Sequence, residues 1–212
     1  MINFKHLCFV CLLAFMALFT SCNYSSRPSG TFKGHDYVDL GLPSGTKWAT
    51  CNIGADNPQD YGDYFAWGET SSKSSYTDEN YSYVDNCLQL PASADVASVR
   101  WGDGWNMPTK EQLQELIDYC RWEYRTNGVN GYKVTGSNGN YIFMPTAGCY
   151  INSNNSSASY EGCYWSSTFG FYKDMMSTFG DEAWRMFFQE HIAPSMNVYS
   201  RRIGASVRPV CQ

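Results

Sequence analysis

Cysteine carries most of the chemistry open to this 212-residue chain, and its nine cysteines are not equivalent. Cys8 and Cys11 lie inside an apolar run from Leu7 to Phe19, which follows Lys5 and His6 and precedes Thr20-Ser21-Cys22. A basic start, a short apolar stretch and small residues before a cysteine make a bacterial secretory signal whose cleavage exposes Cys22 as a new first residue. The run is 13 residues long, against the ~20 a helix needs to span a bilayer. Phe19 is bulkier than the leucine usual three residues before such a cysteine. The chemistry expected at Cys22 is lipidation, each buried methylene adding about 0.8 kcal/mol of membrane affinity. Residues 1–21 therefore read as a lipoprotein signal peptide, and residues 22–35, rich in Ser, Pro and Gly near their start, as a flexible tether.

Cys51, Cys87, Cys120, Cys149, Cys163 and Cys211 remain, an even number in an exported chain, enough for three disulfides. Connectivity is not fixed by the sequence. Cys149–Cys163 is the simplest pairing, because it would close the Asn/Ser-rich loop between them. No Cys-x-x-Cys pair stands outside the signal, so zinc ribbons and thioredoxin-like redox chemistry lack their spacing. His35 and His191, the histidines beyond the signal, sit in no nucleophile motif. Choosing Glu69, Asp181 or Glu182 as one of a glycosidase pair would be arbitrary. Asp56-Asn57-Pro58-Gln59-Asp60 with Asp63 is oxygen-rich, but reads as a solvated turn more readily than as a calcium loop. No cofactor, no metal and no catalytic residue is expected.

A net charge of −5 and the absence of any basic run exclude nucleic acid as an expected partner. Aromatic residues make up 17% of the chain, as many as the charged ones; Tyr leads them and suits contact surfaces and small β-rich cores alike.

The elements that must position these residues are mostly short. Tyr37–Leu40 and Lys47–Thr50 read as strands around the Leu42-Pro43-Ser44-Gly45 turn. The stretch 56–86 reads as a long ordered loop, packed down by Tyr61, Tyr64, Phe65 and Trp67. Thr109 opens the main helix, about 109–122, with Gln112 completing a capping box and Leu113, Leu116, Ile117 and Cys120 forming one apolar stripe. A shorter helix is expected over Ser93–Arg100. Gly136-Ser137-Asn138-Gly139 predicts a hairpin between Gly131–Thr135 and Asn140–Met144. Further strands are expected at Tyr164–Thr168, Trp184–Gln189 and Ala205–Val210. The order implies an α+β domain over 36–212 with a mostly antiparallel sheet.

Several blocks in fixed order carry a resemblance. They are Val38 to Ala55, Tyr61 to Glu69, Trp101 to Thr109, Tyr164-Trp165-Ser166-Ser167, and the closing Arg202, Gly204 and Ser206-Val207-Arg208-Pro209-Val210. Together they resemble the Fibrobacter succinogenes major paralogous domain family, which abounds in exported proteins and lipoproteins of Bacteroidetes-type bacteria. The resemblance covers about Tyr37 to Cys211 and implies a C-type-lectin-like fold related to the sulfatase-modifying, formylglycine-generating type. It brings no established activity. The closely spaced cysteine pair of the formylglycine-generating oxidases is not matched, since Cys149 and Cys163 are distant in sequence.

Between the last two blocks, Phe169 to Arg201 has a different composition. Phe169, Phe171, Tyr172, Met175, Met176, Phe179, Tyr199 and Arg201 are the candidate ligand-binding residues, because aromatics, Met and Arg supply adaptable contact surface. This stretch also resembles the variable region of retroelement-diversified proteins. The resulting expectation is a lipid-anchored protein of the outer membrane, facing either side. It would bind a protein or glycan without catalysis through a loop-rich C-terminal face. The alternatives are a structural part of an envelope or appendage assembly, a diversified ligand-binding protein, and an oxidase of the formylglycine-generating kind.

Overall fold

The computed structural model describes residues 24–25, 27–85, 87–126, 128–170 and 181–212. Cys22, Phe171, Tyr172, Met175, Met176 and Phe179 lie outside the described residues. Among those described, three antiparallel sheets and two helices make an α+β architecture.

The first sheet joins distant parts of the sequence. β1 (Gly30–Phe32), β2 (His35–Asp39) and β3 (Lys47–Ala49) follow one another, and β10 (Val210–Cys211) pairs with β3. The Leu42–Gly45 turn closes β2 onto β3 with a Gly45 N–H to Leu42 carbonyl bond of 2.9 Å. That register sets Val38 opposite Trp48, both fully buried. Arg208, just before β10, is also fully buried. Its guanidinium donates to Asn52 Oδ1 (2.8 Å) and to the carbonyls of Ala49 (3.1 Å), Thr50 (2.9 Å) and Phe143 (3.0 Å). Burial lowers its pKa, and the four acceptors compensate for the lost hydration.

Asp95 caps α1 (Val96–Trp101), accepting from the Ala97 and Ser98 amides, and its carboxylate also accepts from the Met107 amide. α2 (Lys110–Tyr119) has the expected capping box: Thr109 Oγ1 accepts from Gln112 N (3.2 Å) and Gln112 Oε1 accepts from Thr109 N (2.9 Å). Leu113 and Leu116 are fully buried, each contributing roughly 2 kcal/mol by leaving water. The helix is shorter than the expected 109–122. Cys120 is already extended, and Arg121-Trp122-Glu123-Tyr124-Arg125 alternates charge and aromatic with the period of a strand. Trp122 Nε1 returns to the Leu116 carbonyl (3.2 Å), fastening the helix end.

That strand, β4 (Arg121–Arg125), joins β5 (Gly131–Thr135) and β6 (Tyr141–Pro145), the hairpin turning at Gly136–Gly139 as its sequence predicts. The third sheet is β7 (Glu161–Phe169), β8 (Glu182–Gln189) and β9 (Ile192–Ser200). The described part of the C-terminal region is therefore hairpin, not loop-rich. Only the end of the expected Ala205–Val210 strand is regular; Ala205 and Ser206 make single bridges to Phe65 and Tyr164.

Two clusters fill the interior. One packs Trp67, Trp105, Trp165, Phe65 and Phe169; the other packs Trp48, Leu113, Leu116, Tyr164, Met186 and Phe188. The long stretch before α1 is pinned as its aromatics suggest. Trp67 Nε1 donates to the Ser166 carbonyl (2.8 Å), and Trp165 Nε1 returns to that of Phe65 (2.9 Å). Asp60 Oδ2 accepts from the amide and side chain of Asn57, so the oxygen-rich loop is a closed turn. Among the described residues, no helix is long and apolar enough to cross a membrane.

Candidate functional site

The sites worth considering lie where the third sheet meets the 146–160 loop. Pairing across β7, β8 and β9 sets Trp165 opposite Arg185 and Arg185 opposite Asn197. With side chains alternating, Cys163, Arg185, Phe187 and Tyr199 project from one face, while Tyr164, Met186 and Phe188 enter the core from the other. Arg185 Nη1 donates diagonally to Cys163 Sγ at 3.0 Å, and its Nε donates to Asn197 Oδ1 at 2.9 Å. Its guanidinium lies 4.0 Å from the Tyr199 ring centre and 5.2 Å from that of Phe187.

The loop brings Cys149 onto this face. Gly148 N–H bonds the Glu161 carbonyl (2.7 Å), and Tyr150 exchanges backbone bonds with Gly204 (2.7 and 3.0 Å). Gly148 holds φ at 70°, and a Cβ there would come within 2.5 Å of the Ala158 amide, so only glycine fits. Cys149 and Cys163 are both buried free thiols, near enough to shift each other's titration. The Cys149–Cys163 disulfide expected from the sequence is not formed in this structure.

Burial, and after it the nearby Cys149, keep the proton on Cys163, whose pKa is raised well above normal. Cys163, helped by the Arg185 charge and Ser157 and opposed by burial and Glu161, lowers that of Cys149 to about 7. Burial works against the Arg185 charge, but the two sulfurs more than offset it and raise its pKa. The group thus sets two thiols of unequal acidity beside a guanidinium. It borders an open recess of about 620 Å3, lined on the sheet side by Glu161, Arg185, Phe187 and Tyr199 and on the loop side by Cys149, Asn152, Asn154 and Ser157.

No family model, curated protein or solved structure matches the chain. The site therefore rests on its own geometry.

Of the residues expected to bind, Tyr199 lines the recess and is 36% exposed. Phe169 and Arg201 do not present a surface. Phe169 is buried against Trp67. Arg201, 5% exposed, lies over Trp67, Tyr81 and Phe169, donates to the Asp85 carbonyl (2.9 Å) and sits 3.8 Å from Asp181. Both are framework, because a guanidinium stacked on three rings gains more from packing than from solvent. The other candidate binding residues, and Cys22, fall outside the described residues. His35 stacks on Trp101 (3.8 Å between centres, 6° between planes), and His191 is at the exposed β8–β9 turn. Sequence reasoning missed Arg185 altogether. Its one visible signal is a lone charge among the apolar residues of Ala183-Trp184-Arg185-Met186-Phe187-Phe188.

Proposed function

We propose that the chain is a lipid-anchored envelope protein, acylated at Cys22, whose C-type-lectin-like domain binds a glycan non-catalytically in the recess beside β8 and β9. The observation that carries this reading is the buried Arg185 guanidinium stacked beneath Tyr199 at an open recess that also presents Asn152, Asn154 and Ser156. Carboxamides and hydroxyls offer donors and acceptors to sugar hydroxyls, and the rings of Tyr199 and Phe187 offer flat apolar contact to a pyranose face. Long loops fastened by buried tryptophans support the C-type-lectin-like assignment. The partner sits outside the membrane lipid, and nucleic acid is not among the expected ligands.

The test is a glycan array probed with the full-length protein in detergent, followed by calorimetry on the strongest glycan. Tyr199→Ala and Asn152→Ala should each weaken binding about tenfold, on the scale of one lost stacking or hydrogen-bonding contact, while the melting temperature holds. Equal binding by the variants would place the ligand elsewhere.

A second reading, thiol chemistry of the formylglycine-generating kind, is favoured by one observation: Cys149 lines the recess as a free thiol, and a second free thiol, Cys163, lies against Arg185 of the same recess. Turnover of a cysteine-containing peptide by the full-length protein would support it, and the absence of turnover would remove it.

A further inference from the structure

Tyr24, two residues after Cys22, is seated on the domain. Its ring stands edge-on to Phe143 of β6, with centres 4.9 Å apart and planes at 70°, and its hydroxyl accepts from the Val129 amide at 3.4 Å. A side chain at Gly128 would collide with that hydroxyl, so the seat on the β4–β5 loop requires a glycine there. Farther along, β1 pairs with β2, so the stretch expected to be a flexible tether is fixed at Tyr24 and again at Gly30–Phe32. With Cys22 acylated, the lipid leaves the domain beside the second sheet. Two residues of chain span at most about 7 Å, close to the thickness of one headgroup layer.

The face that receives Tyr24 is basic. Alternation along β4, β5 and β6 turns Trp122, Tyr124, Tyr132, Val134, Ile142 and Met144 toward the second core cluster. Arg121, Glu123, Arg125 and Lys133 therefore stand on the other face with Phe143, and Lys133 is the register partner of both Glu123 and Phe143. The Arg121 and Arg125 side chains are 67% and 50% exposed and share the Glu123 carboxylate, at 3.1 and 3.4 Å. Lys133 Nζ lies 4.0 Å from the Tyr141 ring centre. Three cations against one carboxylate set this face apart in a chain of net charge −5. No acidic residue stands between Cys22 and Asp36, whereas Arg27 is exposed there. We propose, resting on acylation at Cys22, that the outer face of β4–β6 lies against the membrane, with Arg121, Arg125 and Lys133 binding the phosphate groups of anionic phospholipids.

The acyl chains supply the anchor and the sheet supplies the direction. Each cation held at an anionic surface favours that placement about fivefold, and the effect fades beyond a Debye length of about 8 Å at physiological salt. A loose tether would let the domain turn this face away. The Tyr24 seat prevents that: strands about 4.8 Å apart put Lys133 one strand, and β4 two strands, from Phe143. Guanidinium groups suit the role because their donors match phosphate oxygens two at a time. Glu123 is already shared by two arginines, so it repels a lipid phosphate less than an unpaired carboxylate would.

The experiment uses the full-length protein expressed with its own amino-terminal segment and purified in neutral detergent. It is reconstituted into vesicles of phosphatidylcholine with phosphatidylglycerol, or of phosphatidylcholine alone. Lysines are acetylated with a membrane-impermeant reagent and their rates read by peptide mapping. Each lysine is compared with itself in micelles, and Lys133 with Lys73 and Lys110, which lie outside this sheet. On the anionic vesicles Lys133 should slow by at least about fivefold relative to those two. Tyr24→Ala should abolish the shielding and Tyr24→Phe should keep it; Arg121→Gln combined with Arg125→Gln should weaken it, with the melting temperature unchanged in all three. Lys133 labelled as fast on anionic vesicles as in micelles, or slowed equally on neutral ones, would overturn the proposal. Intact mass reports Cys22 separately. An unmodified Cys22 removes the anchor and this proposal with it, whereas an acylated protein with an unshielded Lys133 removes the membrane-facing sheet alone.

Discussion

Arg208 offers the sharpest quantitative test, because one side chain beside β10 satisfies four acceptors from two other parts of the fold, residues 49–52 and β6. Replacing it by Met keeps the apolar stem and removes all the donors. The carbonyls of Ala49, Thr50 and Phe143 and the Asn52 side-chain oxygen then lose a charge-assisted partner inside the protein. At about 1 kcal/mol per acceptor left short, the low end of the range for such groups, the loss is about 4 kcal/mol. For a chain of this size, with roughly 2–4 °C lost per kcal/mol, the melting temperature should fall by about 8–16 °C. Arg208→Lys should be no milder. It retains a buried charge, but a single ammonium cannot bridge the Asn52 side and the Phe143 side as the guanidinium does. Thermal unfolding followed by circular dichroism, with urea titration as a second measure, gives the number. A loss under about 1 kcal/mol for Arg208→Met would show that the site relaxes or hydrates freely, and would refute the view of Arg208 as the tie between β3, β6 and β10.

Three further outcomes follow from the same geometry. With its pKa lowered to about 7, Cys149 should be alkylated by iodoacetamide along a curve with its midpoint near pH 7, the thiolate growing as pH rises. At pH 7 about half would be ionised, roughly 50-fold more than for an ordinary thiol near 9; intrinsic nucleophilicity about 8-fold lower leaves a net gain of about 6-fold, read by peptide-resolved rates. Thr109→Ala should cost about 1 kcal/mol through the lost α2 cap, visible as a shift in the urea midpoint without a change in slope. Gly148→Ala should destabilise by more than 1 kcal/mol and slow Cys149 alkylation, since a Cβ there collides with the Ala158 backbone and displaces the loop carrying the thiol.

The parts of the fold legible in sequence are those set by neighbours along the chain. Thr109 and Gln112 are three residues apart, so the α2 cap could be read directly; Gly136–Gly139 likewise fixed the β5–β6 turn. β4 was hidden because Trp122 follows a helical stripe closely enough to pass for its continuation. Only the alternation of Arg121, Glu123 and Arg125 with Trp122 and Tyr124 marks the change of period. β9 was hidden for another reason. It is an edge strand, mostly half-buried or exposed and carrying Pro194, so it lacks the apolar alternation of a core strand. Within the site, the loop between Cys149 and Cys163 suggested a disulfide, whereas both are free thiols. Arg185 could not be found, since its burial depends on a sulfur on β7, a carboxamide on β9 and a ring at Tyr199. Phe169 and Arg201 misled for the complementary reason: aromatic and Arg side chains serve a binding face and a cation-on-ring core equally well.

The pairing of β10 with β3 also imposes a timetable. Residues 204–211 give Phe65 a bridge through Ala205, β3 a partner through Val210, and the Asn52 turn its guanidinium. A chain that emerges from a ribosome or a translocation pore with its amino end leading must hold β3 and the Trp67 loop unfinished until that last segment arrives. Every contact of this kind spans most of the sequence, which slows closure relative to local structure. A product broken off before Gly204 should leave Trp48 and Phe65 uncovered, and is expected to be cut by proteases faster than a chain that carries this segment.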